Sequence, residues 1–389
     1  MKVVVFYPYS TGEKAFSGGV AKVAVSNVIA VHLNGDKPYL VLPQDNNGLI
    51  EYVRENCPYC EVVPVDIMAL ARYADTKNVF KKAYQTLRNL YKNLYGRKLL
   101  TKAYETIQPD VIHYHETVCF NLLSCYTKCK IVMHLHSYVE IPNKTIQNYI
   151  YKRIYKYANI VLSPTESIKK SREKYLRNII IVKTPYLDLK SNSPEKAISN
   201  HFKELKDKGC VLFSFVGRIA RIKRLEYFLR SLARLNPEER RNIKYMVIGG
   251  CNTMGDKDYK LELEQYITEH DLQNNVDWVG YVNSVESVLP YVDYGVMLTL
   301  SEAMPMVGIE YLKYSIPTIG FDVPGINDFL IDEVNGFLIE DQNTDMIASV
   351  LRRIISGNNI PDFKTLIPET YKGYSVEKFA EAIKEIYNS

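Results

Sequence analysis

Short apolar runs rich in β-favouring residues alternate along the chain with amphipathic stretches, and that alternation predicts its elements. Val3 to Tyr7, Tyr39 to Leu42, Val62 to Val65, Val111 to His115, Lys130 to Leu135, Ile160 to Ser163 and Ile179 to Lys183 read as strands. They are apolar almost throughout rather than at every second position, the pattern of parallel strands covered on both faces. A stretch rich in serine, lysine and asparagine then breaks the pattern from Lys190 to His201. Beyond it the alternation restarts with Val211 to Val216, Lys244 to Gly249, Val276 to Gly280, Tyr294 to Thr299 and Pro317 to Phe321. The reading is an α/β chain of two Rossmann-like, doubly wound parallel-sheet domains, residues 1–190 and 191–373, with a linker between Leu189 and Asn200. Ligands of such sheets sit at the carboxyl ends of strands, so the domains are expected to face each other across a central cleft.

A length of 389 residues agrees with two domains, and 47% hydrophobic with 24% charged residues excludes disordered, collagen-like and coiled-coil classes. No apolar run reaches the roughly 18 residues of a membrane span. The start, Met1 to Pro8, is too short in its apolar run for a signal peptide, which predicts a first buried strand and a cytoplasmic protein. The seven cysteines, an odd number, suit a reducing compartment better than a disulfide framework. Cys57-Pro58-Tyr59-Cys60 has no second pair, so it reads as two cysteines in a surface turn, with zinc or redox chemistry the minor alternative.

The net charge of +5 hides an asymmetry: residues 1–190 carry 27 Lys+Arg against 15 Asp+Glu, +12, and the remainder 22 against 29, −7. A basic amino-terminal half is expected to meet an anionic partner. Much of the excess lies in residues 67–104, where Tyr84, Leu87, Tyr91 and Leu94 recur at helical spacing beside Lys82, Arg88 and Lys92. That is the pattern of an interfacial basic helix on an anionic membrane surface, or of a solvated face over an ordinary core stripe. No signature of nucleic-acid binding accompanies it.

Three segments place glycines or charged residues just after a predicted strand, where helix amino termini can hold phosphate. Gly18 and Gly19 open the first helix; alone they also fit a flexible turn. Arg218 and Lys223 follow the first strand of the second domain, five residues apart, so that both cations can converge on one diphosphate or remain solvated. Glu302 and Glu310 flank the amides of Met306, Val307 and Gly308, an arrangement that suits a diphosphate with sugar and ribose hydroxyls, or a helix-dipole pair.

Val216-Gly217-Arg218 with Lys223, Glu302 with Glu310, and Asn335-Gly336-Phe337-Leu338 together resemble the donor-domain signature of retaining GT-B glycosyltransferases of family 4. Gly18-Gly19-Val20, Asp110 to His115 and Val132 to His136 resemble that family's amino-terminal glycine loop and active-site histidine positions. The resemblance implies metal-independent, retaining transfer of a hexose from a UDP- or GDP-sugar, with no cofactor. Arg218, Lys223 and the helix start would neutralise the leaving diphosphate, Glu310 bind the ribose, and Glu302 and His136 contact the transferred sugar. His115 and Glu116 would be acceptor contacts, with a buried hydrogen-bonded histidine as the alternative. His134 is expected to face away from His136 in a structural role.

The acceptor is expected to be a glycan or polyprenyl-linked glycan in cell-surface polysaccharide synthesis, such as capsule or lipopolysaccharide, at the inner face of the plasma membrane. By the same resemblance the final helix, in residues 374–389, returns to the amino-terminal domain. Arg224 and Pro305 stand where the family has glycine, and Pro324 and Asp328 where it has glycine and glutamate. Two competing readings are a sugar-nucleotide epimerase of the same fold and a catalytically inert sugar-nucleotide-binding partner.

Overall fold

The computed structural model describes residues 1–9, 19–67, 95–115, 126, 128–136, 157–174, 176, 178–187, 196–282 and 284–389. The chain forms two compact units, Met1–Leu187 with Tyr374–Ser389, and Asp188–Gly373. Most of the basic stretch, residues 68–94, lies outside the described residues; its remainder presents Arg97, Lys98 and Lys102 as exposed side chains.

The first unit carries a seven-stranded sheet in the order β3-β2-β1-β4-β5-β6-β7. Its strands are β1 (Lys2–Phe6), β2 (Lys37–Pro43), β3 (Glu61–Val65), β4 (Val111–His115), β5 (Lys130–His134), β6 (Ile160–Ser163) and β7 (Ile179–Ile181). All pairings are parallel, with Val4 beside Tyr39 and Ile112, and His115 beside His134. The apolar character of these strands has its cause in burial: Val3, Val4 and Val5 are wholly buried.

The helix Gly19–Leu33 buries residues on nearly every side, including the polar pair Ser26 and Asn27. It packs against the final helix, Val376–Asn388, which starts where the Ser375 hydroxyl accepts from the Lys378 amide. Phe379, Ala380, Ile383, Ile386 and Tyr387 form its buried stripe and join Val3, Val111, Val132 and Leu162 in one core. Burying each of Phe379, Ile383 and Ile386 contributes about 1.5–3 kcal/mol. At its end the Lys130 ammonium donates to the carbonyls of Ile386 and Tyr387 at 3.3 and 3.0 Å, satisfying oxygens that have no helical donor.

The second unit holds a six-stranded sheet, β10-β9-β8-β11-β12-β13, also parallel throughout. Its strands are β8 (Val211–Val216), β9 (Ile243–Ile248), β10 (Val276–Gly280), β11 (Tyr294–Met297), β12 (Thr318–Phe321) and β13 (Gly336–Ile339). The pattern of apolar runs does not predict β13. It is four residues long, begins at a glycine and follows the buried polar Asn335, so locally it reads as a turn.

One expectation is corrected here. Cys57 and Cys60 stand in a turn, but their side chains face inward, 1% and 9% exposed. Burial, and then the neighbouring Cys57, pushes the Cys60 thiol up to about 12, which leaves it a packing group rather than a reactive thiolate.

Candidate active site

In the second unit the strand order reverses between β8 and β11, which lie side by side. The loops leaving these two strands therefore meet at the carboxyl edge of the sheet, the place where open α/β sheets hold ligands. Backbone bonds fix the meeting: the Leu300 amide donates to the Ile222 carbonyl at 2.9 Å and the Thr299 hydroxyl to the same oxygen at 3.0 Å. A third loop closes on the second, for the Glu302 amide donates to the Pro324 carbonyl at 2.9 Å. Gly325 makes this approach feasible, since its φ is +88° and a β-carbon there would lie 1.9 Å from the Glu302 carbonyl oxygen. Gly249 does the same beside Gly217, where a β-carbon would come within 1.8 Å of the Gly217 oxygen.

These loops bring the Lys223 ammonium into an ion pair with Glu302, both partly buried. Arg218 is exposed, and its charge reaches Asp256. Burial draws the Asp256 carboxyl upward, but amide donation from Asn252 and Thr253, at 3.0 Å each, and the Arg218 charge together hold it below its ordinary value. Lys223 is thus paired with a carboxylate while Arg218 acts on Asp256 through its charge, and Asp256 is a neighbour that sequence reasoning missed.

The helix Met306–Lys313 begins at Pro305 with no side-chain cap, so the amides of Met306, Val307 and Gly308 have no intrahelical acceptor. Glu310 follows one turn later and is 4% exposed. Gly308 is required by packing, because a β-carbon there would enter the Phe329 ring at 2.6 Å.

Arg224, where the resembled family has glycine, adopts a left-handed backbone with φ +52°. Its guanidinium pairs with Asp341 at 2.6 Å and lies over the Tyr227 ring. The left-handed conformation costs a side-chain-bearing residue about 1 kcal/mol, and an ion pair that is partly exposed contributes about 0–1 kcal/mol. Arg224→Gly is therefore expected to be more stable than Arg224→Ala by about 1 kcal/mol. Urea unfolding of the two variants checks this, and equal midpoints would mean that the backbone there is unstrained.

Within the first unit, four of the chain's seven histidines cluster at β4 and β5. His113 and His115 lie on β4, while His134 ends β5 and His136 follows it. The expectation that His134 faces away from His136 is corrected: residues two apart on a strand share a face, and the two rings stack with centroids 4.5 Å apart. His113, His115 and His134 are wholly buried. Burial, reinforced at His113, His115 and His136 by neighbouring imidazoles, holds all four well below the usual range, His134 at about 3. The rings are neutral at pH 7.

Hydrogen bonds link them. His115 Nδ1 lies 2.9 Å from His136 Nε2 and His115 Nε2 lies 3.2 Å from Asn27 Nδ2. The Tyr387 hydroxyl donates to Asn27 Oδ1 at 3.1 Å and lies 2.7 Å from His113 Nδ1. His113 Nε2 lies 3.2 Å from His134 Nδ1. One nitrogen each of His113, His115 and His134 lies within 4.8 Å of the others, a crowding that suits a shared divalent cation in ligand number. The rings instead use their nitrogens on one another, on Tyr387 and on Asn27, and His134 Nε2 alone of the three rings' buried nitrogens has no partner. Asn27 and Tyr387 were not singled out by sequence reasoning; the visible signal was a polar residue inside an apolar helix. Gly18 and Glu116 lie outside the described residues, and Gly19 opens the first helix.

Two doubly wound, wholly parallel sheets in separate units constitute the GT-B fold. Residues 197–372 match the family described as glycosyl transferases group 1, and residues 17–180 match glycosyltransferase family 4. The chain belongs to the GT-B glycosyltransferases of this family-4 kind. It is 30% identical over 211 residues to an uncharacterized glycosyltransferase of Methanocaldococcus jannaschii, covering 52% of this chain and 49% of the relative. It is 26% identical over 183 residues to the UDP-Gal:alpha-D-GlcNAc-diphosphoundecaprenol alpha-1,3-galactosyltransferase of Escherichia coli, covering 45% of each. The chain spans about half the length of the curated relatives it matches. The crystal structure of Anabaena HepE in complex with UDP superposes with a TM-score of 0.76 at 16% identity, over 100% of both chains. No described helix is long and apolar enough to cross a membrane.

Proposed function

We propose that the protein transfers a sugar from a UDP- or GDP-sugar to a hydroxyl of a glycan carried on a lipid diphosphate, with retention of the anomeric configuration. The observation that carries this reading is the Lys223–Glu302 ion pair at the β8/β11 switch, just ahead of the uncapped start of Met306–Lys313. UDP and UDP-glucose in the HepE structures, and a lipid-diphosphate acceptor in the name of the E. coli relative, support the substrate classes.

In this reading Arg218, Lys223 and the amides of Met306 to Gly308 hold the diphosphate, assisted by Gly18 and Gly19. Glu310 accepts from the ribose hydroxyls, while Glu302 and His136 contact the transferred sugar. His115 is wholly buried with both ring nitrogens bonded within the protein, so it takes the alternative role of a buried hydrogen-bonded histidine rather than an acceptor contact. Glu116 is assigned to the acceptor, and the basic residues 67–104 to anionic headgroups. The bond from the anomeric carbon to the diphosphate oxygen breaks as the acceptor oxygen bonds on the same face. The acceptor's proton passes to the departing phosphate oxygen, so no protein base is required. Cations and helix amides stabilise the charge that develops on the leaving group, so no metal is assigned a role in the reaction.

A thermal-shift screen of nucleoside diphosphates and their sugars tests the reading. A true donor at a hundredfold excess over its Kd stabilises the fold by about 2.7 kcal/mol, roughly 5–10 °C. NMR of the glycoside product then reads its configuration, which should match the donor's and form equally well with EDTA. A full panel without a shift, or an inverted product, would refute the proposal.

A further inference from the structure

The hydrogen bonds around the buried histidines have a direction, and one atom sets it. His134 Nε2 is buried and unpartnered. An orphaned lone pair is tolerated in a protein interior better than an orphaned N–H, so His134 carries its proton on Nδ1. His134 Nδ1–H then donates to His113 Nε2, and His113 Nδ1–H donates to the Tyr387 oxygen. The Tyr387 hydroxyl passes its own hydrogen to Asn27 Oδ1, which turns the Asn27 amide nitrogen toward His115 Nε2. His115 must therefore be protonated on Nδ1, and it donates to His136 Nε2. Every donor in the sequence meets an acceptor, and the last ring is left with its proton on Nδ1.

We infer that Asn27 and Tyr387 are positioning residues for the transferred sugar, fixing His136 as a neutral Nδ1–H donor through a hydrogen-bond chain of His134, His113, Tyr387, Asn27 and His115. The inference rests on the proposed contact between His136 and the sugar. It deepens that contact in two ways. With Nε2 occupied by His115 and Nδ1 protonated, His136 offers no lone pair, so it selects an acceptor oxygen on the sugar and takes no proton from the reaction. The final helix, through Tyr387, becomes part of the apparatus that reads the donor, although Tyr387 lies 274 residues from His113 in sequence.

The test is nitrogen-15 NMR of the imidazoles in the full chain, without ligand, for the wild type, Tyr387→Phe and Asn27→Asp. The wild type is expected to show the neutral Nδ1–H tautomer at His136. Asn27→Asp replaces the amide donor with an acceptor, which should turn His115 over and move His136 to the other tautomer. Tyr387→Phe keeps the packing of the helix and cuts the chain, and is expected to give a mixture. On the nucleotide-sugar that stabilises the wild type most, both variants should lose about tenfold in kcat/KM, mostly through KM for the donor.

A wild-type His136 protonated on Nε2, or on both nitrogens, would overturn the inference. So would an unchanged His136 tautomer in Asn27→Asp with its fold intact by circular dichroism. If the tautomers move as described while turnover stays at the wild-type level, the chain exists but the sugar contact of His136 is wrong, and that part of the proposed function fails instead.

Discussion

Lowering the pH from 7.5 to 5.5 is expected to destabilise the amino-terminal unit by about 4 kcal/mol, because three wholly buried histidines stay neutral while the unfolded chain takes up their protons. The direction follows from the shifts. His113, His115 and His134 have folded-state values below the ordinary value near 6.5, so below that pH the unfolded state binds more protons than the folded one. Stability falls by about 1.4 kcal/mol per pH unit for each such ring, and for His134 the loss continues toward its value of about 3. Carboxylates contribute little in this window, since they titrate near 4.

A loss of this size is a large share of the 5–15 kcal/mol that holds a typical domain folded. Urea unfolding across the pH range measures it. His134→Gln, which keeps a polar side chain but cannot be charged, should flatten the slope by about a third. A slope absent between pH 7.5 and 5.5 would show that these rings accept protons in the folded state and are solvated.

The elements that sequence reasoning recovered are those whose signal is local. Parallel strands buried on both faces are apolar residue after residue, so Val3 to Tyr7 or Val211 to Val216 stand out without any knowledge of their neighbours. The residues proposed to hold the donor stand out for the same reason, since Gly217, Arg218 and Lys223 closely follow β8 and Glu302 closely precedes the helix that carries Glu310. Their mutual arrangement was not legible: the pairing of Lys223 with Glu302 joins residues 79 apart, and the Asp256 that feels the Arg218 charge lies in the first turn of the helix Met254–Glu269. The histidine chain was hidden more deeply, because Asn27 is 88 residues from His115 and Tyr387 enters from the opposite end of the sequence. Strand alternation alone places His134 on the same face as His136; the contrary expectation misapplied a period of two.

Removing the Lys223 ammonium is expected to lower kcat/KM by about 10²–10³-fold, the loss found when one preorganised group is taken from developing negative charge. The structure gives this substitution two effects. In the unliganded protein Lys223 neutralises Glu302, so Lys223→Ala removes a cation from the diphosphate and also leaves an uncompensated carboxylate beside the place where the diphosphate enters. Binding of the nucleoside diphosphate alone should therefore weaken by about 10–100-fold, the worth of a charged hydrogen bond. Glu302→Gln has the opposite sign on binding. It frees Lys223 from a partly exposed pair worth about 0–1 kcal/mol and removes a repulsive charge, so the diphosphate should bind up to about fivefold more tightly. Turnover should nevertheless fall, because Glu302 is assigned to the sugar. Lys223→Arg keeps the charge but not the compact ammonium, and an intermediate loss of about tenfold is expected. Calorimetric titration of the diphosphate, set beside steady-state rates for the three variants, separates these effects. Weaker diphosphate binding in Glu302→Gln, or a rate for Lys223→Ala within threefold of the wild type, would take the ion pair out of the donor site.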